Sequence, residues 1–167
     1  KTKSLIEPVD TDAEAAIHIG PEYTDTCAWH PASLWLGVGC ERDTSLKLVE
    51  RAILEALNEA GLAIEAVAGV ASADRKAGEV ALLALTQDRQ WPFRTFEAPV
   101  LNAVTVPTPS DAVLAEMGTA SVAEASALLA AGEGGRLRLP KRILHANGTG
   151  AENDEQGAVT VAVAEAA

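Results

Sequence analysis

The stretch Leu34-Trp-Leu-Gly-Val-Gly-Cys-Glu-Arg-Asp-Thr-Ser45 decides how this chain is read. Leu34 to Val38 is a short apolar run of the kind that forms a buried strand. Gly37 and Gly39 let the backbone bend or come close to another group. Thr44 or Ser45 then stands where a helix needs a cap. Strand, glycine turn and helix start, in that order, aim backbone N–H groups and the positive end of a helix at one place. Gly39, Cys40, Arg42, Thr44 and Ser45 surround that place and are the first candidate binding residues. The pattern is not a nucleotide signature, because G-x-G lacks its third glycine and no G-K-[ST] follows. A tight turn without a ligand explains the same local pattern, so function must be argued from the rest of the chain.

Working outward, Ser45 to about Ala60 reads as an amphipathic helix with Leu46, Val49, Ile53, Ala56, Leu57 and Ala60 on one face. Gly61 is a suitable stop. Ala66 to Ala71 reads as a second buried strand, with side chains small enough to let a helix approach closely. A polar turn, Ser72-Ala-Asp-Arg-Lys-Ala-Gly78, leads into a second helix, Glu79 to Arg89, with Val80, Leu83 and Leu82 inward. Pro92 to Phe96 is a third strand, and Pro99 starts a short helical turn. Ser110 caps a short helix to Met117. Ser121 with Glu124 forms a capping box for a helix to about Ala131, with Val122, Ala125, Leu128 and Leu129 inward. Arg136 to Leu139 is a fourth strand, followed by a Pro140-Lys141 turn. His145 to Gly157 is a polar, mobile loop, and Val159 to Ala164 is the last strand. Helices alternating with strands imply right-handed crossovers and a covered sheet. The expected fold is α/β, a three-layer α/β/α arrangement on a mixed, mostly parallel sheet of about five strands, the last two strands pairing antiparallel.

The chain has 167 residues and a net charge of −11. Residues 1–33 hold two lysines against six acids, and residues 144–167 hold four acids and no Lys or Arg. The middle is nearly balanced, which argues against non-specific nucleic-acid binding. It leaves room for local cations that hold a small anion. No apolar run is long enough to span a bilayer, and no signal-peptide pattern precedes the first strand. A cytoplasmic setting and an origin as a piece of a longer protein are expected. The reading divides the chain into 1–33, a linker or the tail of an upstream module, and 34–167, the domain proper. Cys27 and Cys40 have no partners at zinc-ligand spacing, so no metal and no cofactor are expected. His18, His30 and His145 read as surface or loop histidines.

Gly37-Val-Gly-Cys-Glu-Arg-Asp-Thr-Ser45 resembles the opening G-[IV]-G-C-R-R-G-[ST]-[ST] of the CbiG C-terminal domain and its stand-alone relative CobE, a family of cobalamin biosynthesis. The resemblance continues in order. Ser72-Ala-Asp-Arg-Lys-Ala-Gly-Glu79 is similar to the family's S/T-x-D-x-K-x-x-E turn. Gly118-Thr-Ala-Ser-Val-Ala-Glu-Ala125 is similar to its G-T-x-S-V-A-E-A helix start, and Leu139-Pro-Lys141 to its late P-K turn. Four motifs over roughly 34–164 are far more specific than one. Two positions depart: Glu41 stands for the family's first Arg, and Asp43 for its Gly.

Ligands of open α/β sheets sit at the carboxyl ends of the strands. The motif turns fall near such ends and gather Arg42, Thr44, Ser45, Asp74, Lys76, Thr119, Ser121, Glu124 and Lys141. Capping alone explains Ser121, Glu124, Thr44 and Ser45, and a local ion pair explains Asp74 with Lys76. Lys76 and Lys141 are the least explained by structure and suit carboxylates. The resemblance implies a tetrapyrrole ligand, a precorrin intermediate with acetate and propionate arms. It further implies ring-A lactone opening of cobalt-precorrin-5A with loss of acetaldehyde, for which Asp74 or Glu79 would be the base that activates water. The alternative is a non-catalytic carrier or interaction domain serving a partner precorrin methyltransferase. A third reading, independent of the resemblance, makes Cys40 a nucleophile. An inert buried thiol competes with it, since no His lies in any of the motifs to act as base.

Overall fold

The apolar run from Leu34 forms the centre of a five-stranded sheet. The computed structural model describes residues 17–107, 121–147 and 154–167. In chain order the elements are β1 (His18–Ile19), β2 (Ala28–Trp29), β3 (Leu34–Cys40), α1 (Leu46–Glu59), β4 (Val67–Ala73), α2 (Val80–Arg89), β5 (Phe93–Phe96), α3 (Ala98–Asn102), α4 (Val122–Ala131), β6 (Arg136–His145) and β7 (Ala158–Glu165). β1 and β2 pair with each other, and the main sheet runs β5-β4-β3-β7-β6. β3, β4 and β5 are parallel neighbours, while β7 is antiparallel to both β3 and β6. Four of the five strands therefore run the same way, and the last two pair antiparallel, as expected.

The chain steps from β3 to β4 to β5 with α1 and α2 on one face of the sheet, then turns back past β3 with α4 on the other. Right-handed crossovers require that change of face when the stepping direction reverses. Alternation along the strands sorts their side chains between the two layers. Leu34, Leu36 and Val38 of β3, with Val159, Val161 and Val163 of β7, pack against Leu48, Val49, Ile53 and Leu57 of α1 and Leu82 and Leu85 of α2. Each such buried side chain is worth ~1.5–3 kcal/mol relative to exposure. The opposite face carries Trp35, Gly37, Ala71, Ala73, Ala162 and Ala164. α4 lies on it through Ala123, Ala127 and Ala130, all buried. A Cβ at Gly37 would run into the Ala123 carbonyl oxygen and stand 2.9 Å from the Ala127 Cβ. The small residues thus set the helix-to-sheet distance, as the composition of the second strand suggested.

The helix signals are as read. Ser45 caps α1, its Oγ accepting from the Leu48 N–H at 3.4 Å, and Gly61 leaves the helix at φ +66°. Ser121 caps α4 by accepting from the Glu124 N–H at 3.4 Å. Several expectations change. Val80 and Leu83 are exposed, and α2 buries Ala81, Leu82, Leu85 and Thr86 instead. Its inward stripe is set by where β4 and α1 lie, which a short apolar helix does not announce. Leu128 and Leu129 are half-buried, because the smaller Ala123, Ala127 and Ala130 take the places nearest the sheet. In α1, Leu46 and Ala60 are only half-buried, while Leu48 and Ala52 join the core. β3 and β4 run two residues further than read, to Cys40 and Ala73. Pro140 and Lys141 are not a turn but the middle of β6, an edge strand whose pairing shifts register between Leu139 and Arg142. Edge strands and bulges are where a sheet tolerates proline. The helix expected over 110–117 lies outside the described residues.

Two flanking segments are tied to the core. The Tyr23 N–H donates to the Gly61 carbonyl at 2.9 Å, the Ala63 N–H to that of Pro21 at 2.7 Å, and Glu22 pairs with Arg138 at 3.1 Å. Between β6 and β7, Arg51 of α1 grips both Glu155 oxygens at 2.7 and 3.0 Å and also donates to the His145 carbonyl. The Gln156 N–H donates to Ser45 Oγ at 3.0 Å, clipping the segment to the start of α1. Among the described residues no helix is long and apolar enough to cross a membrane.

Two measurements check this packing. Gly37→Ala is expected to lower unfolding free energy by at least ~2 kcal/mol in urea, since backbone rather than a flexible side chain blocks the added methyl; an unchanged midpoint contradicts the close approach. The Arg51 side chain, with the Asn147 N–H, holds the Glu155 carboxyl down at about 2, against an ordinary 4.5. A depressed carboxyl contributes stability that is present above its unfolded-state pKa and lost as pH falls through the folded one. The thermal midpoint of Glu155→Gln should therefore lie below that of the parent at neutral pH, and the gap should close between pH about 4.5 and about 2.

Candidate functional site

The carboxyl ends of β3, β4 and β6 and the first turn of α4 enclose a cavity of about 600 Å³, a usual size for a small-ligand site. It lies where the strand order reverses, between β3 and its neighbour β7, the position at which open α/β sheets take ligands.

The structure brings together Gly39, Cys40, Arg42, Lys76, Glu79, Ser121 and Lys141, all in the cavity wall. It does not bring in the others. Asp74 opens the 3-10 turn Asp74–Lys76, is exposed and is absent from the wall. Thr44 is buried, and its Oγ1 donates to the Glu41 carbonyl at 2.8 Å, closing the β3–α1 turn. Ser45 is occupied by its capping of α1 and by Gln156. Glu124 is fully buried in the first turn of α4, outside the wall. Thr119 lies outside the described residues. The sequence reading missed Glu41, Arg75, Thr160 and His145, which also line the cavity. Arg75 lies inside a motif already singled out. His145 comes in because β6 continues to that residue, so that Lys141, Ile143 and His145 alternate along one side of it.

Lys76 and Glu79 form the innermost charged pair. Nζ stands 3.3 Å from Glu79 Oε2, and both side chains are about one-tenth exposed. Glu79 Oε1 accepts the Asp43 N–H at 3.0 Å, so one carboxylate positions both the lysine and the β3–α1 turn. Asp43 has φ +60°, the left-handed conformation for which glycine is the easy choice. Aspartate is among the few other residues that adopt it at small cost, which explains how Asp43 fills a glycine position of the motif. Ser72 ties β4 to β3 behind the site, its Oγ donating to the Val38 carbonyl at 2.6 Å. Among the described residues, Arg42, Arg75 and Lys141 have no acidic side chain within ion-pair distance. No cluster of His, Cys, Asp and Glu among the described residues is arranged to hold a metal.

Burial pushes the Cys40 thiol up to about 11, the nearby Lys76 charge offsetting only part of the effect and Glu79 adding to it. Burial therefore favours the protonated thiol, which weighs against the nucleophile reading.

The family described as Cobalamin synthesis G C-terminus matches residues 34–164. The chain belongs to this family. It is 38% identical over 122 residues to Protein CobE of Sinorhizobium sp., covering 72% of this chain and 79% of that protein. It is 30% identical over 104 residues to Cobalt-precorrin-5A hydrolase of Priestia megaterium, covering 62% of this chain but only 28% of the hydrolase. Among solved structures, CobE from the cobalamin (vitamin B12) biosynthetic pathway superposes with a TM-score of 0.66 at 28% identity, over 79% of this chain and 92% of that one. The cobalamin biosynthesis protein ChiG from Agrobacterium tumefaciens gives 0.57 at 26% identity, over 80% and 98%. A cobalamin biosynthesis protein G homologue from Sulfolobus solfataricus gives 0.58 at 25% identity, over 90% of this chain and 44% of that one. The fold is thus shared with these three solved structures.

The thiol offers a direct check. With Cys40 near 11, about one thiol in a thousand is ionised at pH 8. Iodoacetamide at pH 8 should label exposed Cys27 and leave Cys40 unmodified in the folded chain, as read by peptide mass mapping. Equal labelling of both would restore Cys40 as a candidate nucleophile.

Proposed function

We propose that this chain binds a carboxylate-rich precorrin intermediate of cobalamin biosynthesis in the cavity at the ends of β3, β4 and β6, and that it assists ring-A lactone opening of cobalt-precorrin-5A by holding the substrate. The observation that carries this reading is the gathering of Arg42, Arg75, Lys76 and Lys141 around one cavity in a chain of net charge −11. A polycarboxylate macrocycle presents several anionic arms at once. Charge-assisted hydrogen bonds from Arg and Lys, with the α4 N-terminus beside Ser121, suit such arms. The mostly acidic surroundings would repel the same ligand elsewhere, which favours this mouth over the rest of the surface.

The carboxylates argue for holding rather than for proton transfer. Asp74 is outside the cavity wall, and both Glu79 oxygens are engaged, by Lys76 and by the Asp43 N–H. Glu79 thus acts as a positioning residue for Lys76. Two carboxylates reach the cavity, Glu41 and Glu79, and of the two bases the motifs suggested, Asp74 and Glu79, only Glu79 is in its wall.

An absorbance titration with cobalt-precorrin-5A, followed by mass analysis of the ligand, tests the reading. A spectral shift without loss of acetaldehyde is expected from the chain alone. Lys76→Ala and Lys141→Ala should each weaken binding about tenfold, in line with the loss of one charged hydrogen bond. Unchanged affinity in both variants would overturn the proposed cavity. Release of acetaldehyde that Glu79→Gln abolishes would make this domain catalytic and Glu79 its base.

A further inference from the structure

We infer that Gly39 is the specificity-determining position of the cavity, kept without a side chain so that the flat face of a macrocyclic ring can lie on the sheet. The inference rests on the ligand class proposed above and adds how that ligand is oriented.

Among the described residues, no contact requires a glycine here. Its φ lies outside the left-handed region. Among the described residues, a Cβ added at Gly39 would find its nearest atoms, Thr160 Cβ and Val122 Cβ, at an ordinary 4.0 Å. Gly37, two residues earlier on the same face, is the opposite case, since its Cβ would strike the α4 backbone. A glycine in a strand interior gives up stability. At Gly37 the close helix explains it; at Gly39 no packing contact among the described residues does. What the missing side chain leaves is room in the cavity.

Register shows what that room adjoins. Gly39 is opposite Thr160 of β7, and Thr160 is opposite Ile143 of β6. Residues directly opposite one another share a face of the sheet. Ile143, Thr160 and Gly39 thus make a transverse row across three strands, all in the cavity wall and spanning about 10 Å at ordinary strand spacing. Ile143 is 57% exposed although it is a large apolar residue within a polar-rimmed cavity. Its strand neighbours on the same side are Lys141 and His145, while Arg42 and Lys76 stand beyond the ends of β3 and β4. The row is a small-to-apolar floor with cations at its margins. A ring with apolar faces and anionic arms at its edge matches that layout: ring on the floor, arms to the margins. An acyclic polycarboxylate needs the cations and makes no use of the floor.

The test compares two probes: cobyrinic acid, a corrin ring with carboxylate arms, and tricarballylate, which has carboxylates and no ring. Gly39→Val is expected to weaken cobyrinic acid at least about tenfold in an absorbance titration by occluding the floor. Tricarballylate affinity, followed by NMR, should stay within about twofold, because the charges are intact. Ile143→Ser, an exposed change, should weaken cobyrinic acid about fivefold with the same indifference to tricarballylate. The unfolding midpoint of Gly39→Ala should not fall. The inference is overturned if Gly39→Val and Ile143→Ser leave cobyrinic acid binding unchanged while Lys76→Ala weakens it; the cavity would then hold carboxylates without seating a ring. It is also overturned if Gly39→Ala lowers the midpoint, since the glycine would then serve the fold. If Lys76→Ala and Lys141→Ala are without effect as well, the proposed function falls with it.

Discussion

The cavity at the ends of the strands depends on how closely α4 lies to β3. The contact is backbone to backbone: the Ala123 carbonyl of the helix occupies the space where a side chain on Gly37 would be. Trp35 is the one large residue on this face of β3, and it lies towards the other end of the strand, packed with Ala71 and Ala130. Arg94 stacks over its ring at 4.4 Å. The helix is therefore low over the sheet just where its first turn reaches the strand ends. That height brings Ser121 and Val122 to the cavity and makes the α4 N-terminus one of its walls. Interiors packed at this density do not deform gradually. A larger residue at Gly37 would lift the helix and take the wall away with it.

Charge is distributed to the same end. The excess negative charge of the chain lies largely in its flanks, and several flank acids neutralise arginines of the balanced middle. Glu155 holds Arg51, while Glu22 and Glu165 share Arg138. Glu59 of α1 takes Arg142. These pairs contribute little each where they are exposed. Arg51, Arg138 and Arg142 are taken up by acidic partners, and Arg94 by the Trp35 ring, whereas Arg42, Arg75 and Lys141 at the cavity have no acidic partner among the described residues. The pair Lys76–Glu79 is the exception, a charged contact inside the cavity that fixes a lysine in place and steadies the Asp43 turn at the same time.

Local signals carried the fold because they are short-range. The strand and helix at 34–45, the glycine stop at Gly61 and the cap at Ser121 each describe their own few residues and form as read, except that Gly39 continues the strand and the turn comes at Asp43 instead. The order of strands and helices then leaves few right-handed ways to assemble them. Of the candidate residues picked from the motifs, Gly39, Cys40, Arg42, Lys76, Glu79, Ser121 and Lys141 meet at one cavity. What failed was any statement about which side of an element faces inward when its pattern is weak. Val80 and Leu83 look like core and are exposed. Pro140-Lys141 looks like a turn and is strand, because an edge with a register shift absorbs the proline.

The sequence by itself determined the α/β class, the positions of the caps and stops, and the family. The tertiary structure decided which polar residues line the cavity and which are taken up by the fold. Thr44 and Ser45 close a turn and cap a helix, Asp74 faces solvent, and Glu79 is bound on both oxygens. It also separated two glycines that look alike in the sequence: Gly37 is required by a helix from the far half of the chain, and Gly39 is not. The physical reason is common to all of these. A cap or a turn depends on atoms a few residues away, whereas a cavity, an ion pair between elements and the space beside a glycine depend on partners brought from 36 to more than 100 positions distant.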